Sequence, residues 1–435
     1  MKRLFTILTV AIVSIACVFA GGASESSDTG DQRIVTTANA AIYAGETWFN
    51  EMNRAFEAET GIKVVVTPVP GNEIEYVNKI NLDLLGGSDV DVIETLGPKN
   101  YSLRIEAGYF MPLGDIIDEA AAVETYGLNV PYEEDGEFYA LPYKQEVYCV
   151  FYNKAIFDEA GIPYPEGPWT WDEYVELATR LTDPKKGIYG SFMNADLPWM
   201  YMYAQQLDDL ELYTEDGRCN FDCPELREAC AWFKHISNDL KLQPSIAELE
   251  AENANWNYYA LEGYRLAMFP QGNWFTRLLN DQNDYPKDWD YGVAPLPSAG
   301  ENGNNSLGSF GYVSINKNAA HPEEARIYLE WLADNQWKYE GGIPAFKHMT
   351  EEQQNIAFGQ IAEASHGQVT VSDLYENLVN TGMGVVTSDI VGPAAAEYYN
   401  IVKAELKAYN MDLQDLDTTM RNITVRVNEA IDAAR

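Results

Sequence analysis

Basic residues are scarce in this 435-residue chain. Only 29 Lys and Arg stand against 67 Asp and Glu, a formal net charge of −38 that becomes −40 if Lys2 and Arg3 are removed. Such a charge repels nucleic acid phosphates and anionic lipid headgroups, so neither is an expected partner. Long hydrophobic runs are also missing: after the first twenty residues no stretch reaches the ~18 consecutive apolar residues a membrane span needs. There is no Gly-x-Ser-x-Gly elbow, no Walker loop, no His-Glu-x-x-His and no Gly-x-Gly-x-x-Gly dinucleotide turn, which removes most common catalytic classes.

Cysteine and histidine are few, at five and four. Cys17 falls in the leader, leaving Cys149, Cys219, Cys223 and Cys230. Cys219 and Cys223 share a short loop in which a local disulfide is one expectation, since an exported chain meets oxidising conditions. With Cys230 and His235 they form a Cys-x3-Cys-x6-Cys-x4-His series that superficially resembles zinc ligation. Cys230 and His235 are five positions apart, which does not put both on one helix face, so buried or paired thiols are the simpler reading and no metal or cofactor is expected.

What is present begins with a leader. Lys2 and Arg3 form a charged start, residues 4 to about 16 an apolar core, and Val18-Phe-Ala20 a small-residue cleavage site, so residues 1–20 read as a signal peptide. Ser14-Ile-Ala-Cys17 offers a second reading, a lipoprotein box that would lipidate Cys17 and anchor the chain. Residues 21–31 are small and polar, a flexible tether. Ile34–Ala38, Glu46–Thr60 and Ile62–Val66 then alternate as strand, helix and strand; Ile74–Leu85 and Val90–Ile93 continue the pattern. Alternation of this kind predicts a parallel sheet with ligands outside the strand carboxyl ends. Further on, Pro224–Leu240 and the region of Trp256–Glu262 read as helices and Tyr264–Phe269 as a strand. Tyr291–Pro297 and Gly311–Ile315 are the later strand signals, and Pro322 opens a helix.

The most specific stretch runs from Leu141 to Tyr174. Residues 147–152 read as a buried strand ended by Asn153-Lys154, a short helix stops at Gly161, and Thr170 with Glu173 forms a capping box. Leu141-Pro-Tyr143, Tyr152-Asn-Lys154, Ala160-Gly-Ile-Pro163 and Trp169-Thr-Trp-Asp-Glu173 resemble, in that order, the carbohydrate-binding proteins of bacterial ABC importers, the maltose-binding-protein type of extracellular solute-binding protein. Thr60–Val64, Asp91–Ile93, Met268–Trp274, Trp289–Pro297 and Ser314–Lys317 extend the resemblance over most of the chain.

The resemblance implies an α/β periplasmic-binding-protein fold of two lobes, each a mostly parallel sheet flanked by helices, with a ligand cleft between them. Lobe one would be residues 32–130 and 297–335, lobe two residues 131–296 and 336–435. A monomer in the periplasm or on the outer face of the membrane would close on a sugar and present it to an ABC permease. Carried over loop by loop, the resemblance points to Tyr43 and Glu46 after the first strand and to Thr95 and Lys99 after Asp91–Ile93. It points also to Lys144 and Glu146, to Asn273 with Trp274 as a stacking aromatic, to Phe310 and Tyr312, and to Tyr398 or Tyr399.

These residue types suit a sugar, whose C–H face stacks on aromatic rings while its hydroxyl belt takes carboxylates and amides. Trp199 and Trp256 are further aromatic candidates, although each could equally cover a helix, and Glu146 could be a plain strand-edge charge. Trp169 and Trp171, in the capping segment, read as structural. A glycoside hydrolase would want the same residue types, and a related fold serves non-sugar solutes, so both stand as alternatives.

Overall fold

The computed structural model describes residues 32–40, 47–70, 73–127, 131, 136–193, 197–208, 210–252, 258–262, 265–299, 305–381, 384–387, 390 and 392–434. The leader and tether lie outside them. Eight strands are described: β1 (Ile34–Ala40), β2 (Lys63–Val69), β3 (Val92–Leu96), β4 (Leu141–Asn153), β5 (Met268–Gly272), β6 (Tyr291–Pro295), β7 (Asn305–Ile315) and β8 (Gly384–Thr387). They hydrogen-bond in the order β2-β1-β3-β7-β4-β5, with β6 beside β4 and β8 beside β7.

The parallel arrangement expected from strand–helix alternation holds for β2-β1-β3 and for β7 with β8. The pairings of β3 with β7 and of β4 with β5, β6 and β7 are antiparallel. The reason is connectivity: β7 and β4 are returning strands that re-enter from the far side, not members of a βαβ run. β4 is longer than the hydrophobic signal at 147–152 because Leu141–Val147 pair with β7, whereas Tyr148–Tyr152 pair with β5. The strand expected at 264–269 sits later, at Met268–Gly272, where its register with β4 places Pro270 opposite Val150. Among the described strands β5 pairs with β4 alone, so a proline without an N–H is tolerated there.

Two hydrophobic cores result. The first gathers Val35, Phe49, Phe56, Val92, Val313, Tyr328 and Trp337 around β1–β3, β7 and the helix Pro322–Glu340. The second gathers Phe157, Trp171, Met200, Phe233, Tyr398 and Ile423 among the helices that follow β4 and those at the chain's end. Strand alternation sends Phe151, Phe269 and Val293 into the first and Val150, Met268 and Ala294 into the second, so the β4–β5–β6 layer is covered on both faces. The Thr170–Glu173 capping box forms as expected. Trp169 donates to Pro295 O at 2.8 Å and Trp171 to Gln206 Oε1 at 2.7 Å, so both indoles are core struts.

A buried carboxylate ties the returning chain to the opening one. Asp91 is fully buried; its Oδ2 accepts from Thr36 N at 2.7 Å, Thr36 Oγ1 at 2.8 Å and His321 Nδ1 at 3.0 Å, and its Oδ1 accepts from His321 N at 2.7 Å. His321, the residue before the helix Pro322–Glu340, is therefore committed to this contact. Asn316 reinforces the contact by donating to Ser88 O and Val90 O.

The cysteine series disperses. Cys149, Cys219, Cys223 and Cys230 are all free thiols, so the local Cys219–Cys223 disulfide does not form here. Cys219 Sγ lies 3.4 Å from the Tyr398 hydroxyl, Cys230 packs on Met200, and His235 faces Asp239 at the surface. The helix expected over 224–240 is α-helical to Lys234 and continues as a π-turn at His235–Asp239. No helix of the described residues is long and apolar enough to cross a membrane.

Asp91→Ala strips four hydrogen bonds from partly buried donors on Thr36 and His321. It should lower the unfolding free energy by about 3 kcal/mol in urea titrations, and a loss under ~1 kcal/mol would show that the contact is incidental.

Candidate functional site

The site grows out of an irregularity in β4. Its register with β7 slips between Pro142 and Lys144, which makes Tyr143 a bulge residue. The Tyr143 ring lies over Gly311, where an added Cβ would come within 2.6 Å of it. Past the bulge the alternation is regular: Gln145, Val147 and Cys149 are buried, whereas Lys144, Glu146 and Tyr148 are only partly buried on the other face. Bulges re-aim side chains in this way beside binding sites.

Aromatic rings close the end of that row. Tyr148 meets Trp199 edge-on at 5.6 Å, and Gly272, opposite Tyr148 in the β4–β5 register, leaves room for the Trp274 indole. A Cβ at Gly272 would lie 2.6 Å from Trp274 Nε1 and 3.5 Å from the Tyr148 ring. Asn273 extends the ladder by one step: its N–H donates to Val147 O at 2.9 Å, and its Oδ1 accepts from Val147 N at 3.2 Å. Of the expected residues, Lys144 and Glu146 share one face of β4, and Asn273 and Trp274 lie at its Tyr148 end; Trp199, also there, is buried in the second core, as the alternative reading of that residue had it.

Others fall elsewhere. Thr95 is fully buried, and its hydroxyl accepts from Arg104 Nη1 at 2.7 Å, so it supports the end of β3. Phe310 and Tyr312 are buried on β7, the latter against Tyr101 at 5.0 Å. Tyr398 is core, donating to Leu212 O at 2.9 Å, while its neighbour Tyr399 is half-buried. Tyr43, Glu46 and Trp256, and the side chain of Lys99, lie outside the described residues.

A polar network behind Lys144 was missed by sequence reasoning. Lys144 forms an ion pair with Glu340, each side chain under a fifth exposed. Gln336 Nε2 donates to Glu340 Oε2 at 3.4 Å and to Glu94 Oε2 at 3.2 Å, and Glu94 Oε1 accepts from Asn39 Nδ2 at 3.2 Å. Burial pushes Glu94 up to about 7; Gln336 opposes that shift, and Glu340 reinforces it. Burial works against the Lys144 charge, yet Glu340 and Glu146 hold its pKa above the ordinary lysine value. A carboxylate inside the apolar run Val92-Ile-Glu-Thr-Leu96 was the available signal for Glu94. Tyr148 was legible as the next same-face position after Glu146.

Comparison with known proteins gives the family and the fold. The family model described as bacterial extracellular solute-binding protein matches residues 39–339. The chain belongs to that family. A binding protein of Brucella abortus is 26% identical over 340 residues, 74% of this chain and 78% of its own length. An arabinooligosaccharide-binding protein of Halalkalibacterium halodurans is 26% identical over 279 residues, 62% of this chain and 60% of its own. Among solved structures, an ABC substrate-binding protein of Listeria monocytogenes in complex with cycloalternan superposes with a TM-score of 0.74 at 20% identity, covering 92% of this chain and 100% of that one. The fold is accordingly the two-lobed periplasmic-binding-protein fold, and these relatives are binding proteins rather than enzymes.

In this solute-binding protein Gly272 is held small by Trp274. Gly272→Ala should displace the indole, shift the intrinsic tryptophan fluorescence and cost about 1–3 kcal/mol of stability as overpacking, with unchanged fluorescence arguing against the contact.

Proposed function

We propose that this chain is an extracytoplasmic carbohydrate receptor that captures a sugar or oligosaccharide by lobe closure and delivers it to an ABC permease. The observation that carries the reading is the row Lys144–Glu146–Tyr148, partly buried on one face of β4 and ended by the partly exposed Trp274, with the buried Trp199 bracing Tyr148. A carboxylate accepts from two hydroxyls at once in charge-assisted bonds, and the indole offers a face for the C–H side of a pyranose. Relatives described as binding an arabinooligosaccharide or cycloalternan point to the same ligand class.

The chain works as a monomer outside the cytoplasm, exported by the leader at 1–20 and held at the membrane if Cys17 is lipidated. Its lobes are residues 32–130 with 297–335 and residues 131–296 with 336–435. The packing of β7 and the 322–340 helix on the first core supports the return of the chain to lobe one. Binding, without turnover, is its role. Chromogenic glycosides should remain intact, and sustained hydrolysis would overturn that part of the reading.

Thermal unfolding against a panel of mono- and oligosaccharides, polyols, amino acids and divalent metals tests the ligand class. A ligand at about 100 times its dissociation constant adds roughly 2.7 kcal/mol, a shift of several degrees. Sugars alone should shift the transition; a shift by amino acids or metals only would refute the carbohydrate reading. Trp274→Ala and Glu146→Ala should each weaken binding of the sugar found by about 1–3 kcal/mol, one to two decades of affinity, with the fold retained.

A further inference from the structure

Glu94 is 8% exposed and is the meeting point of several elements. Asn39 reaches it from β1, Tyr76 from the helix Glu73–Leu85, and Arg104, which donates to the Glu94 backbone carbonyl at 3.4 Å, from the helix Pro98–Glu106. Tyr143 and Lys144 face it from β4, and Tyr328, Gln336 and Glu340 from the helix Pro322–Glu340. Burial keeps the tyrosines neutral, so the charges that can respond to Glu94 are those of Arg104, Lys144 and Glu340. The link to Lys144 and Glu340 is one amide. Gln336 is 1% exposed; its Nε2 serves both carboxylates, and its Oε1 is a buried acceptor with no partner among the described residues.

A buried acceptor without a partner, on an amide whose N–H already serves a carboxylate, has a simple resolution. Resting on the reading of Lys144 and Glu146 as part of the sugar site, we propose that Glu94 is a proton-responsive positioning residue for Lys144. Ionised, Glu94 takes the N–H of Gln336, as the structure has it. Protonated, it becomes a donor and satisfies Gln336 Oε1, which turns the amide and withdraws Nε2 from Glu340. Loss of the Glu94 charge also removes one of the three anions that hold the Lys144 ammonium, leaving Glu340 and Glu146, and the ammonium that borders the site gains freedom to move.

The sign follows from the raised Glu94 pKa. Between the ordinary carboxyl range near 4.5 and about 7, the folded chain holds a proton that the unfolded chain has lost. Glu94 therefore contributes stability that declines as pH rises through that window and is gone above it. The relief of general acidic repulsion at low pH runs the same way, so the wild type must be compared with Glu94→Gln.

Two measurements on the purified protein without ligand test the idea. The melting temperature of the wild type should fall relative to that of E94Q between pH 5 and 7.5, and the difference should be constant above that. Acylation of Lys144, followed by mass spectrometry and normalised to the exposed Lys185, should rise as pH falls through 7 in the wild type and not in E94Q. Parallel melting profiles, or identical Lys144 labelling profiles, overturn the proposal and leave a packing role. Should E94Q fail to fold, the infrared carbonyl band of a protonated carboxylic acid in the wild type decides: it must be present at pH 6 and absent at pH 8.5. No sugar enters these experiments, so their failure is separate from failure of the ligand panel.

Discussion

The antiparallel pairing of β4 with β7 is the joint on which the molecule depends. Each strand is long enough to serve two neighbourhoods: β7 pairs with β3 through residues 311–315 and with β8 through 305–308, while β4 pairs with β7 at one end and with β5 and β6 at the other. Every buried backbone N–H and C=O along them must find a partner, and a strand that leaves one set of partners does so only where another takes over. Two such strands side by side connect the two hydrophobic cores without unsatisfied backbone. The candidate site sits on that connection, on the face of β4 that carries Lys144 and Glu146 and runs into the second core at Tyr148 and Val150.

Electrostatics at the site follows from its position beside a core. The strongly acidic surface costs little because it is solvated, but Glu94, Glu340 and Lys144 are drawn inside, where desolvation dominates and pairing is obligatory. The same rule explains Asp91, which is fully buried and fully occupied by Thr36 and His321. One buried carboxylate is saturated by donors and acts as a fastening between distant parts of the chain. The other shares an incompletely satisfied amide, and that difference makes it the more responsive group.

Much of this was legible beforehand. Helix starts were readable because their signals are local: Thr170 and Glu173 sit within one turn of each other, and Pro322 opens its helix with two acids behind it. Lys144, Glu146, Asn273 and Trp274 were nominated through the family resemblance, the first two just after Leu141-Pro142 and the last two at the end of a strand. Thr95, Phe310, Tyr312 and Tyr398 were nominated on the same grounds, yet their side chains are buried in the cores. A motif gives the strand's end but not which face of the strand meets the core, and at Tyr143 a single extra residue resets that alternation.

Local chemistry along the chain therefore determined the class of fold, the order of strands and helices, the capping signals and the loops from which a binding site is drawn. Tertiary structure alone decided the strand directions beyond β3, the doubled role of β4 and β7, the grouping of Tyr148 with Trp199 and Trp274, and the meeting of Glu94 with Gln336 and Lys144. Capping and turn preferences act over three or four residues and are written in adjacent letters. Register and burial are settled by distant partners, 242 positions away in the Glu94–Gln336 contact, and depend on long-range packing that no local pattern encodes.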